Sequence, residues 1–252
     1  MKKLFVYQRL MLLFLLFAAS SASGQINLTL EEDSSKAIPN DKNTFTAYAE
    51  YISVVYDISW TMPKNFVDLK TKTAWGPAFP GIMYRSVLQS KDENCRILYG
   101  EPFYVPNRKS LLPNWARQQL INEVNDACGA KKDKDGKMPH KPIFDFEKYV
   151  KVISGAEAIK MFNADTVYIA QIDLKKPYKT KYIYCTGIYL QKKGRPIMTF
   201  KCFFNQAGKQ KEDEYLKLLY KNVKYRNNNW KYNKALRDKE NKKYFKKTGE
   251  NG

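Results

Sequence analysis

The chain holds one histidine, His140, among its 252 residues. That scarcity, with no CxxC pair among four cysteines, argues against a zinc site of ordinary spacing. Acidic residues are also in short supply. There are 25 Asp and Glu against 44 Lys and Arg, a formal charge of +19. No Walker, dinucleotide-binding or zinc-protease pattern occurs. A Cys128–His140 nucleophile pair has no third residue to orient it. Asp133 and Asp135 before Gly136 lack the other ligands of a calcium loop. No catalytic residue, metal or cofactor is therefore expected. After Ala19 no apolar run is long enough for a membrane span.

What is present begins with an address. Lys2, Lys3 and Arg9 precede an apolar run over 10–19 and the small residues Ala22-Ser23-Gly24. This reads as a secretory signal over 1–24, cleaved before Gln25. Residues 25–44 are a polar lead-in. Its Asn27-Leu28-Thr29 sequon is a coincidence in a chain with a bacterial type of signal. Residues 45–226 are expected to form a single α+β domain, and 227–252 a basic tail. Export to the periplasm or the extracellular space puts the cysteines in an oxidising compartment. The positive charge favours an envelope protein, or an anionic glycan or lipid, as partner, and ranks nucleic acid low.

The stretch 182–204 organises the domain. It is rich in aromatic and β-branched residues and reads as two strands around Lys193-Gly194. A two-residue loop there sets Leu190 opposite Ile197, Tyr189 opposite Met198, Gly187 opposite Phe200 and Cys185 opposite Cys202. One face is then wholly apolar, with Phe200 covering Gly187. A three-residue loop slips the register by one and places Lys201 and Thr199 among those apolar residues, so the first register is preferred. It predicts a Cys185–Cys202 disulfide and leaves Cys95 for Cys128.

Elsewhere, Ile52, Val54, Tyr56, Ile58 and Trp60 alternate with more polar residues and predict a strand within 45–60. Residues 75–81 form an aromatic loop. A hairpin is expected from 82–90 and 95–99, and a helix over 111–128 from Ala116, Leu120, Val124 and Ala127. Ser154 and Glu157 form a capping box with Ile153 stapled to Ala158, and Asn163 ends that helix. A strand over 166–172 follows. The last helix of the domain spans 212–225, with acids first and bases last.

Several motifs carry a resemblance. Phe162-Asn163-Ala164-Asp165-Thr166-Val167, Pro177-Tyr178-Lys179, Tyr184-Cys185-Thr186-Gly187, Lys193-Gly194-Arg195 and Phe203-Phe204 resemble a group of uncharacterised exported proteins of Bacteroidota. That resemblance brings no activity with it. Pro63-Lys64-Asn65-Phe66 after a strand, with a late hairpin and a final helix, is similar to the Mog1/PsbP-like layout. This implies an antiparallel sheet covered by helices, an α/β/α-like sandwich, and no function. The leading expectation is an exported binding or interaction protein. A hydrolase acting on an envelope polymer is the alternative, with Glu147 and Asp165 as its acids. A basic binder of anionic glycan or lipid is another, with Trp230, Lys231, Lys234, Arg237, Lys242 and Lys243 as contacts.

Overall fold

The computed structural model describes residues 27–28, 38–39, 44–75, 82–104 and 114–248. The expected signal sequence and most of the expected 75–81 loop lie outside them. The fold is α+β: an antiparallel sheet packed against helices. The strands are β1 (Asn27–Leu28), β2 (Ile38–Pro39), β3 (Ile58–Trp60), β4 (Phe66–Asp68), β5 (Thr71–Trp75), β6 (Ile82–Ser90), β7 (Cys95–Gly100), β8 (Val150–Ser154), β9 (Thr166–Tyr178), β10 (Tyr182–Gln191), β11 (Met198–Phe204) and β12 (Val223–Tyr225). The order across the main sheet is β1-β9-β10-β11-β7-β6-β5-β2, with β8 also on β9 and β4 also on β6. Only β1 runs parallel to its neighbour among these pairs.

The helices are α1 (Thr44–Val55), α2 (Trp115–Ala127), α3 (Phe146–Tyr149), α4 (Gly155–Phe162), α5 (Gln206–Gln210), α6 (Glu212–Asn222) and α7 (Lys234–Thr248). One face of the sheet packs with α1, α4, α6 and the β3–β12 ribbon; the other packs with α2 and Phe146 of α3.

Where a strand is expected within 45–60, the chain forms α1 and then the short β3. Phe45, Tyr48, Ala49, Ile52, Val55 and Tyr56 are buried while Val54 is 49% exposed, which is helical spacing. The alternation is real only from Ile58 onward. The Phe45 amide donates to Asp68 Oδ2 at 2.9 Å, so a carboxylate from β4 serves the start of α1. Asp57, at φ 51°, turns the chain out of it.

The register of β10 and β11 is the slipped one. Leu190 pairs with Met198, Gly187 with Lys201, Thr186 with Cys202 and Cys185 with Phe203. Lys201 does face the interior, and it is fully buried. Its cost is offset by Glu123 of α2, whose Oε2 lies 2.8 Å from Lys201 Nζ and accepts the Tyr189 hydroxyl at 2.6 Å. Gly187 has no side chain because one would meet the network. An added Cβ would sit 3.0 Å from Tyr189 Cε2 and 2.9 Å from Ile172 Cδ1.

This register removes the expected disulfides. Cys185 faces α2 while Cys202 faces α1, so their side chains leave the sheet on opposite sides. Cys95 is buried on the α1 face and Cys128 is exposed after α2; the thiols of Cys95, Cys185 and Cys202 are free.

Other expectations divide. The 82–90 and 95–99 hairpin forms as β6 and β7, and Asn163 ends α4 at φ 51°. Ser154 is the N-cap residue but its side chain makes no capping bond, while Ile153 and Ala158 are both buried in one core. The 212–225 helix stops at Asn222, and Val223–Tyr225 pairs with β3. Residues 234–248 are helix α7, packed on α1 with Tyr244 buried among Tyr48 and Tyr51. Tyr244, within the expected tail, belongs to the core.

Candidate functional site

A cleft of about 170 Å³ opens where α7 lies against α1. It is assembled from three places in the chain. Helix α1 and the turn after it supply Tyr48, Tyr51 and Tyr56. Arg85 comes from β6 at the point where its register with β7 shifts between Tyr84 and Ser86, a bulge that re-aims a side chain. Glu101 follows β7. Arg237, Asn241, Tyr244 and Phe245 come from α7, at spacings that share one helical face.

The wall is aromatic and stiff. Tyr244 packs on Tyr48 and Tyr51 with ring centroids 5.4 and 5.3 Å apart, and Tyr51 meets Tyr56 edge-on at 6.2 Å. Both arginines of the lining are ion-paired, Arg237 to a carboxylate outside the lining. Arg85 Nε lies 3.1 Å from Glu101 Oε2, and Arg237 holds Asp238 at 2.7 Å. Burial pushes the Tyr48, Tyr51 and Tyr56 hydroxyls upward, so each is a neutral donor and acceptor. The Tyr48 hydroxyl is buried with no hydrogen-bond partner among the described residues, and Glu101 and Arg85 both act on it electrostatically. An unpaired buried hydroxyl is costly, and here it belongs to a residue of the cleft wall.

Arg195, in the β10–β11 connection, holds the back of this wall. Its Nη2 donates to the Tyr56 and Asp57 carbonyls at 2.6 and 2.9 Å, and its Nη1 donates to Asn227. Its guanidinium lies 5.2 and 5.0 Å from the ring centroids of Tyr225 and Trp230. Burial lowers its pKa, and Tyr225 and Asp57 act the other way. One side chain thus ties the hairpin tip, the end of α1 and the segment leading to α7.

The residues singled out from sequence fall mostly outside the cleft. Arg237 lines it. Trp230 donates to the Val55 carbonyl at 3.1 Å and packs between Tyr56 and Tyr104, a core role. Lys234 pairs with Asp238 and Lys243 with Glu240, while Lys231 and Lys242 are exposed. Glu147 sits exposed in α3. Asp165 accepts the Lys193 amide at 2.7 Å and closes the hairpin loop. His140 is exposed on its loop. Among the described residues no group of three His, Cys, Asp or Glu comes together to hold a metal ion, and no helix is long and apolar enough to cross a membrane.

The tyrosines of α1 carried a signal that period-two reading hid. Tyr48 and Tyr51 are neighbours on α1, but Tyr244 is far from them in sequence and nothing local joins it to them. Comparison with known proteins adds nothing to this geometry: no family model, curated protein or solved structure matches the chain.

Proposed function

We propose that this chain is an exported binding protein of the bacterial periplasm or cell surface, and that the cleft between α1 and α7 holds its ligand. The observation that carries the reading is the lining of that cleft, where Arg85, Glu101, Arg237 and Asn241 stand against a wall of tyrosines. The volume suits one small polar molecule, or one polar group of a larger partner. Hydrolysis of a glycan calls for two carboxylates flanking the scissile bond. The cleft lining has one, Glu101, already paired with Arg85, and neither Glu147 nor Asp165 reaches it. Binding is therefore the better reading.

The test is a melting-temperature screen of monosaccharides, amino acids and small carboxylates, repeated on Asn241→Leu. A ligand present at a hundred times its Kd stabilises by about 2.7 kcal/mol. At least one compound is expected to stabilise the protein and to lose its effect in the variant. A screen in which none does so contradicts the reading. Export rests on the charged start, the short apolar run and Ala22-Ser23-Gly24. Native mature protein should begin at Gln25; an intact Met1 in that material would overturn it.

A further inference from the structure

The outer face of α7 has a different character from its cleft face. At 3.6 residues per turn, Lys239, Lys242 and Lys246 fall within a narrow arc nearly opposite the buried Tyr244. All three are exposed, and none forms an ion pair among the described residues. The acids of this helix are used elsewhere: Asp238 by Lys234 and Arg237, Glu240 by Lys243. Lys247, beside the arc, is held by Glu50 of α1. What is left is a row of three ammonium groups with no ion-pair partner among the described residues.

We propose that this row is a docking stripe for an acidic polysaccharide chain. The rise of a helix spaces successive lysines by about 4.5 and 6 Å along its axis. That suits a linear polymer bearing anions at intervals of that order better than a compact anion. A bilayer surface fits less well. A helix that lies in a membrane interface turns an apolar face into the lipid, and the aromatic residues of α7, Tyr244 and Phe245, are turned toward α1 and packed against the core. The proposal is independent of the cleft, which lies on the other side of the helix.

The experiment compares retention and affinity of the full chain on polygalacturonate, with uncharged dextran as a blank. The variant Lys239→Gln/Lys242→Gln/Lys246→Gln removes the stripe. The control Lys131→Gln/Lys132→Gln/Lys134→Gln removes the same charge from the exposed loop after α2. Melting curves establish that both fold. The stripe variant is expected to lose at least tenfold in affinity, and its affinity should depend on salt less steeply, as fewer counterions are displaced on binding. The control should lose less than threefold. Equal losses in both variants would show that net charge alone acts and would overturn the proposal. So would unchanged binding in the stripe variant, or stripe-dependent binding to anionic lipid vesicles that is tighter than binding to polygalacturonate.

Discussion

The two faces of the central sheet solve the same packing problem by different means. The α1 face is apolar and aromatic to its centre: Trp60, Tyr99 and Phe200 meet with ring centroids 4.9 to 6.1 Å apart. Its charged groups, Arg85, Glu101, Arg195 and Arg237, are at the cleft or at the ends of elements. The α2 face places its charge in the middle. Lys201, Glu123 and Tyr189 are all buried, joined to one another, and reached by Gln119, whose Nε2 donates to Glu123 Oε1 at 3.1 Å. An apolar face tolerates exchange among residues of similar volume. A buried ion pair accepts one arrangement, because losing either partner strands the other charge. The α2 face therefore sets the hairpin register, and the α1 face leaves room at its rim for a cleft.

Cutting the chain after Arg226 should have the largest effect. It removes α7, the buried Tyr244, the indole over Arg195 and the Asn227 carbonyl. Urea unfolding is expected to lose its cooperative transition. A truncated protein with an unchanged midpoint would show that the α1 face is complete without the segment. Glu123→Ala comes next: an uncompensated Lys201 should lower stability by about 3–5 kcal/mol. Gly187→Ala adds a Cβ beside Tyr189 and Ile172 and should lower it by about 1–3 kcal/mol. On the other face, Tyr48→Phe removes a buried hydroxyl that bonds to nothing described and should stabilise the unliganded protein by about 1–3 kcal/mol.

A pH effect is the smallest. Burial tends to raise the Asp92 carboxyl, but hydrogen bonds involving Ser90, Tyr215 and Asn94 outweigh it and hold the pKa at about 2, below the usual 3.8. A depressed carboxyl stabilises the fold above its unfolded pKa. That contribution should therefore be complete above about pH 4 and fade as pH falls toward 2. Asp92→Asn should flatten this part of the stability profile.

Much of this architecture is local enough to read from the chain. The β6–β7 hairpin, the apolar side of α2 and the left-handed Asn163 each follow from neighbours in sequence. The hairpin register does not. Lys201 looks misplaced on a buried face until Glu123, 78 residues earlier, is brought over it. The strand expected within 45–60 fails for a related reason. Its residues satisfy both periods, and only the sheet beneath them selects the helical one by burying Phe45, Tyr48 and Ile52 together. The cleft was legible in one residue, Arg237, because the tyrosines that face it come from opposite ends of the domain.

A double-mutant cycle on Glu123→Leu and Lys201→Met tests most directly whether this ion pair organises the α2 face. Each single change should destabilise by about 3–5 kcal/mol in urea unfolding, while the double variant, with no charge left to strand, should lie near the wild type. Single effects that add to within about 0.5 kcal/mol would contradict the account.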